Sequence, residues 1–398
     1  MSVDNASGWF GLFNTSSTVV TEERALTLST LYSCVKVVAE GVAALPWHTY
    51  RNVEKGKDIY RSHPCYNLLH TRPNPFTTSF MFRETMMVCL LLWGNFYAWI
   101  ERDGANRPVA LWMQKPWEVQ VLMQDGKLFY KTSAGIIPHY DMIHVAGMGF
   151  DGIVGKSPIR LQAEQLGITL NSQKYGADFF KNGATLGGIL TNDSGVVYRP
   201  EQVEQLKKMW YGDTHGPDNN HKTKILGGGL KYQRIGVPPE EAQFLETRKL
   251  GAVEICGMYR VPPHMVGITD KSTSWGSGIE QQDIGFLKYT LLPWLERIKQ
   301  EFDRKIFRES ELGEVYNDFN VNGLLRGDIK SQTEHIQNMM DRGVYSINDA
   351  LSFLGRNTIG PEGERRLVQR NMVPLDRVDD VITLEQSKKS EQGKKNTK

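Results

Sequence analysis

The most constrained stretch of this chain is Val237 to Phe307, and two proline pairs bracket its first helix. Pro238 and Pro239 open a helix at positions where a missing N–H costs nothing, and Glu240 and Glu241 follow at the positive end of its dipole. The helix runs through Phe244, Leu245, Leu250, Val253, Ile255, Cys256 and Met258 to Tyr259, about 33 Å at 1.5 Å per residue. Its second half is apolar almost all round, which predicts burial on several sides. Pro262 and Pro263 stop it. A polar, glycine-rich loop follows, His264 to Gly278, and then a second helix from Ile279 to Phe307 that Pro293 should kink. Such a pair reads either as a scaffold presenting its loop or as a plain αα-hairpin with an idle connection.

The 398 residues suffice for two or three domains with cores of their own. The net charge of +2 supplies no global attraction to nucleic acid. Cys34, Cys65, Cys89 and Cys256 are scattered without a CxxC pair, so buried thiols in a reducing interior are expected. The N-terminus lacks a charged-then-apolar signal pattern. The longest apolar run, Met86 to Trp93, is far too short to span a membrane and reads as a buried helix.

Taken in order, residues 1–20 are rich in Ser, Thr, Asn and Gly and should be mobile. A helix is predicted at 28–43 with Leu31, Val35, Val38 and Val42 on one face, a strand at 45–51, a short helix from Pro64 to Leu69, and a helix from Thr78 to Leu92 closed by Gly94. From Asn95 to Lys131 the period switches to two, with turns at Asp103-Gly104 and Asp125-Gly126, which reads as a β-meander. Met142 to Ala146 is a further strand. Ser157 and Pro158 start a helix that Asn182-Gly183 ends, with Ile159, Ala163, Leu166, Leu170 and Ala177 on one face. Residues 184–236 form an insert: a strand at 187–191, a helix at 200–211 with Val203, Leu206 and Trp210 inward, and two strands around Gly227-Gly228-Gly229. If the helices on either side pair antiparallel, that insert becomes a head on a two-helix stalk. A strand at 315–321 and helices at 328–342 and 346–354 follow, and the lysine-rich end beyond 371 should be disordered.

Gly149 to Ser157 follows a strand, opens a helix and ends in Gly-Lys-Ser, like a phosphate-binding loop. The spacing fails, since Phe150 stands where the first glycine is required, and Pro158 removes an N–H that such a loop uses. A turn plus an N-cap is the alternative. Trp275-Gly276-Ser277-Gly278 lacks the glycine two before the serine that a hydrolase elbow needs. The nine histidines form no HExxH or HxH pair, so no metal is expected, and His144 and His264 read as structural. Nothing in these motifs demands an enzyme. The basic residues are dispersed, and only a symmetric ring would turn one lysine per subunit into a ring of charge.

The chain resembles the portal proteins of tailed double-stranded-DNA phages, specifically the HK97-type portal family. The resemblance runs from about Leu31 to Leu354. It rests on AALPWHTY at 43–50, HPCYNLLHTRPNPF at 63–76, the segments 155–190 and 243–267, and EQQDIGFLKYTLLPWLERIKQEF at 280–302. It implies an α+β portal fold. Its parts would be a mobile arm at 1–27, an α/β wing at 28–155 and 279–325, stem helices at 156–183 and 237–260, and a clip at 184–236. A tunnel loop at 261–278, a small helical crown at 326–370 and a disordered tail at 371–398 would complete it.

The resemblance further implies a homo-oligomeric ring, usually of twelve subunits, at one capsid vertex of the virion, assembled in the host cytoplasm. Double-stranded DNA would pass through it during packaging and ejection. The major capsid protein, the large terminase subunit and then a head–tail adaptor would contact it, without membrane, cofactor or catalysis. Lys271, Ser272, Thr273, Ser274 and Trp275 would face DNA in the tunnel loop, although Trp275 could equally anchor that loop in the wing. Lys174, Lys181, Arg248 and Lys249 of the stem would line the channel. Tyr211, Asp213, His215, Asp218 and Asn219 would form the clip surface. The competing readings are a nucleotide-driven motor component built on Gly155-Lys156-Ser157, or a head–tail adaptor, which the chain's length disfavours.

Overall fold

The computed structural model describes residues 19–53, 56–181, 188–192, 199–212, 230–234, 241–268, 277–321, 329–354 and 358–366. The chain divides into two units, Met1–Asn320 and Val321–Lys398, and each is described by itself. The first opens with α1 (Glu22–Ala25), α2 (Ser29–Ala43), β1 (Trp47–Val53), β2 (Gly56–Ile59), α3 (Pro64–His70) and α4 (Ser79–Trp93). Six strands follow: β3 (Asn95–Arg102), β4 (Pro108–Gln114), β5 (Gln120–Gln124), β6 (Lys127–Thr132), β7 (Gly135–Pro138) and β8 (Met142–Ala146). Then come α5 (Pro158–Leu161), α6 (Ala163–Lys181), β9 (Gly188–Asn192), α7 (Pro200–Gly212), β10 (Leu230–Arg234), α8 (Glu241–Tyr259), α9 (Ser277–Phe286), α10 (Leu292–Ile306) and β11 (Val315–Phe319).

The core forms where α2 and α4 cover the sheets. α2 buries Leu31, Cys34, Val35, Val38 and Val42, the stripe its spacing predicts. Thr78 caps α4 by accepting from Met81 N–H at 3.2 Å, and Gly94 ends it in the left-handed region at φ 75°. Trp47 stacks on Phe319 at 4.6 Å and meets Phe302 edge-on at 4.7 Å, which joins β1, β11 and α10. Arg83 is buried and donates to Ala43 O through Nε (3.1 Å) and Nη2 (2.7 Å), so a cation closes the negative end of α2. Burial pushes the Cys65 and Cys89 thiols up to about 12, so they act as packing groups rather than nucleophiles.

The predicted meander splits in two: β3 pairs with β4, while β5, β6 and β7 form a meander of their own. The sheets run β11-β1-β2, β4-β3-β8, β5-β6-β7 and β10-β9, all antiparallel. A 3-10 turn at Pro116–Glu118 separates β4 from β5, and the free edge of β3 is taken by β8. Alternation shows that a segment is a strand but not which strand it joins. The Asp125-Gly126 hairpin does form, with both residues at positive φ (51° and 72°) as a tight two-residue turn requires. The helix expected from Ser157 breaks at Gln162 into α5 and α6. Val203, expected inward on α7, is 38% exposed.

The helix expected from Ile279 to Phe307 runs unbroken from Ser277 to Ile306, with an irregularity just before Pro293. A π-helical turn, Leu287–Leu291, joins α9 to α10, and Pro293 is the second residue of α10. Proline has no N–H for the carbonyl four residues back, Tyr289, and its ring presses on it. The wider turn absorbs that clash. The stranded Tyr289 carbonyl accepts from Arg260 Nη1 at 3.4 Å.

The second unit holds α11 (Ile329–Asp341) and α12 (Ile347–Phe353). The capping box of Ser346 and Asp349 closes in both directions. His335, Tyr345 and Phe353 cluster between the two helices.

A buried polar knot ties β3 and β8 to the segment that enters α5. Asn95 Nδ2 donates to Gly155 O (2.7 Å), and its Oδ1 accepts from Gly155 N–H (2.7 Å) and His144 Nε2 (3.0 Å). Tyr130 OH donates to His144 Nδ1 at 3.1 Å, which fixes the ring as the Nε2–H tautomer. Gly94 and Gly155 lie so close that a Cβ on either would strike the other strand's backbone. Burial, then the positive charges of Lys305 and Arg304, lowers the His144 pKa to about 3.

Two outcomes follow from the knot. Asn95→Ala orphans Gly155 and His144 and should cost about 3–5 kcal/mol in urea unfolding, since each stranded buried polar group costs about 1–3 kcal/mol; a loss below about 1 kcal/mol would contradict the knot. The unfolded chain protonates His144 near pH 6.5 while the folded chain does not until about pH 3. Its contribution is therefore complete above pH 6.5 and lost as pH falls toward 3, at about 1.4 kcal/mol per pH unit. Raised carboxyls such as Asp303, pushed up to about 6 chiefly by burial, act in the opposite direction. The wild-type profile minus that of His144→Gln isolates the histidine, and identical profiles would refute its role.

Candidate channel elements

Helices α6 and α8 pair along their lengths. Gln165 donates to Glu254 near one end of the contact, and Gly251 lies against Thr169 further along. Position rises on α6 as it falls on α8, so the pair is antiparallel. Leu166, Leu170 and Ile255 are buried. Between the two helices in sequence lie the β9–β10 ladder, in register from Gly188↔Arg234 to Asn192↔Leu230, and α7.

α8 is divided in character. Its last turns are fixed by Cys256, whose Sγ sits 3.9 Å from Cys34 Sγ, and by Tyr259, whose hydroxyl donates to Leu91 O at 3.2 Å. Toward its start, Glu246 to Leu250 are all exposed. Burial on several sides, expected from its apolar circumference, is therefore only partly realised within one chain: Leu250 remains 60% exposed. Among the described residues, α2, α4 and α6 supply its packing surface, and they cover it chiefly toward its end.

Lys174, Arg248 and Lys249 are exposed on this pair. Lys181 occupies the last residue of α6 and Tyr211 the last turn of α7. Arg248 and Lys249 border a cleft between α6, α8 and the start of α2. Asp213, His215, Asp218, Asn219, Lys271, Ser272, Thr273, Ser274 and Trp275 lie outside the described residues, as do the strands expected around Gly227-Gly228-Gly229.

The ends of the loop that joins α8 to α9 are held in place. Arg260 takes the left-handed conformation at φ 55°, and its carbonyl accepts from Thr290 Oγ1 at 2.6 Å. His264, in a 3-10 turn at Pro263–Val266, meets Asp283 at 3.2 Å. Arg260 and Thr290 escaped the sequence reading. Pro293 held the signal, because the carbonyl it strands at Tyr289 needs a donor.

The Gly149–Ser157 segment is committed to structure. Ser157 Oγ donates to Leu92 O (2.6 Å) and to the buried Glu22 carboxylate (3.1 Å), and accepts from Arg160 N–H (3.3 Å). Asp151 Oδ1 accepts from Ile153 N–H (2.8 Å) and Val154 N–H (2.9 Å). Partial burial pushes that carboxyl up, but those bonds outweigh it and hold it below its usual range. Lys156 N–H donates to Met148 O at 2.7 Å, which closes the turn. A serine hydroxyl spent on two protein acceptors is not arranged to bind a metal–nucleotide. Among the described residues no group of three His, Cys, Asp or Glu side chains could hold a metal ion, and no helix is long and apolar enough to cross a membrane.

Known proteins share this sequence and fold. A family model described as phage portal protein matches residues 29–355. The portal protein of Enterobacteria phage HK97 is 32% identical over 362 residues, covering 89% of this chain and 85% of that one. The crystal structure of an HK97 family phage portal protein from Corynebacterium diphtheriae superposes with a TM-score of 0.60 at 15% identity, over 78% of this chain and 98% of that one. A chain from the neck of a native GTA particle, computed with C12 symmetry, superposes with a TM-score of 0.53 at 20% identity, over 88% and 98% of the two chains. The matched segment holds the α6–α8 pair, the insertion between them and the Asn95 knot, and the chain belongs to the phage portal protein family.

Proposed function

We propose that copies of this chain close into a ring, of twelve subunits, around a channel for double-stranded DNA at one capsid vertex. The observation that carries this reading is the antiparallel α6–α8 stalk, buried at the α2–α4 end and exposed toward the β9–β10 and α7 insertion. That is the plan of a stem bearing a clip. The family membership supports it, as does the shared fold of a chain solved in a particle neck with C12 symmetry.

In this reading residues 28–155 and 279–325 are the wing, 261–278 the tunnel loop, and 326–370 the crown, with an arm at 1–27 and a tail at 371–398. The clip, with Tyr211, Asp213, His215, Asp218 and Asn219, meets the large terminase subunit and later the head–tail adaptor, and the major capsid protein surrounds the wing. Assembly takes place in the host cytoplasm and the ring remains in the virion. Lys174 and Lys181 are seven residues apart, two helical turns, and so share the face of α6 that lines the channel. Arg248 and Lys249, expected on that lining too, border the α6–α8 cleft, and we place them at the seam between neighbouring stems. Lys271 to Trp275 contact DNA from the tunnel loop.

The chemistry suits a conduit. Affinity for a duplex grows with every phosphate neutralised, so a channel through which DNA slides is served by few, dispersed cations. The net charge of +2 meets that condition. The chain performs no catalysis in this reading. The alternative, a nucleotide-driven motor component, has to work against a Ser157 hydroxyl already bonded to Leu92 O and Glu22.

End-on electron-microscopy class averages of the purified protein test the reading. Rings with a channel somewhat wider than the roughly 20 Å of a duplex should appear, with twelvefold symmetry, and Lys156→Ala should form the same rings and package DNA within about twofold of wild type. Monomers or dimers in those images, or ATP turnover abolished by Lys156→Ala, would overturn it.

A further inference from the structure

The segment that mimics a phosphate loop leaves two large apolar side chains in solvent. Phe150 is 77% exposed and Met148 63% exposed, although neither sits on a floppy strand. The turn that carries them is closed by the Lys156-to-Met148 bond and by the two N–H groups that Asp151 holds, and the Asn95 knot clamps its far end. A rigid apolar knob forfeits little entropy when it is buried, which is what makes a preorganised contact effective.

The same chain carries a hollow of matching chemistry. The cleft of about 500 Å³ between α6, α8 and the start of α2 is lined by Leu28, Ile168, Leu250 and Ile255 on its apolar side, with Arg248 and Lys249 among its polar residues. An apolar cavity of about 150 Å³ already holds a benzene ring, so a phenyl ring and a thioether both fit. Ile168 and Leu250 are 51% and 60% exposed, so nothing among the described residues fills the cleft.

We propose that Phe150 and Met148 of one copy seat in the α6–α8 cleft of the next, with Asp151 facing Arg248 and Lys249 at its rim. The inference rests on the ring reading and deepens it by naming which surfaces meet. Charge complementarity selects the occupant: the knob carries a carboxylate beside its apolar tip, and the cleft carries two adjacent cations, while the one carboxylate in its lining, Glu254, is already bonded by Gln165. The two patches differ, so the contact is heterologous, the kind that closes a ring rather than a symmetric dimer.

Disulfide trapping in the full-length protein tests the contact. Phe150→Cys combined with Leu250→Cys should give, under mild oxidation, a ladder of covalent multimers on a denaturing gel, while each single variant stays monomeric; the four native cysteines are buried and do not interfere. Asp151→Asn, which keeps the side-chain oxygen that the Ile153 and Val154 N–H groups bond, and Lys249→Gln should each raise the protein concentration for half-assembly severalfold, and the two together no more than the larger single effect. End-on images of the same samples separate the two levels. Rings without cross-links, an internally oxidised monomer, or fully additive effects in the double variant overturn the docking and leave the ring intact. Wild-type protein that forms no ring overturns both.

Discussion

The Asn95 side chain is the interaction on which the rest of this molecule depends. It is one amide spanning two connections, and it satisfies both the N–H and the C=O of Gly155 while fixing His144. A loop pressed against a sheet without such a partner would strand buried backbone groups, at about 1–3 kcal/mol each. With it, the chain leaves β8, makes a tight exposed turn and enters α5 at a set angle. Everything that emerges from the sheet layer toward the α6–α8 pair passes this point. Glu22 reinforces the exit, accepting from Ser157 and from Arg160 at 3.1 Å each, so α1 is tied to it too.

The second helix of the stalk is secured by different means. Pro293 deprives the Tyr289 carbonyl of its helical donor, a π turn absorbs the bulge, and Arg260 at the end of α8 supplies the missing bond. Thr290 returns a bond to the Arg260 carbonyl. A defect in one helix thus becomes the fastening for another, and the loop between α8 and α9 starts from a fixed post. In the proposed ring, fixed ends and a polar, glycine-rich sequence between them would suit a loop that follows a helical duplex.

Much of this was readable from residues alone. Thr78 and Gly94 bracket α4, Asp125-Gly126 makes its hairpin, and Ser346 with Asp349 closes its capping box, because caps and turns are set by neighbours a few residues away. What failed involved distant partners. Alternation from Asn95 onward marked strands but could not reveal that β8, some forty residues further on, would take the edge of β3. The apolar circumference of α8 suggested burial on several sides, whereas Leu250 and Val253 stay exposed. The candidate site was legible in its helices and less so in its residues. The Gly-Lys-Ser run drew notice for its chemistry, yet its glycine and serine serve the knot, and only the contacts of Asn95 and Leu92 distinguish the two uses.

The account joins a rigid junction to a conducting ring: the sheets and α2–α4 layer hold the stalk, and the junction sets where each stalk points. Hydrogen–deuterium exchange over residues 147–157, with and without Mg·ATP, probes its central claim most directly. The account predicts that the Gly155 amide exchanges as slowly as the middle of β3 and is unchanged by nucleotide. Exchange within seconds that slows when Mg·ATP is added would show a ligand-binding loop in place of a structural junction, and would contradict it.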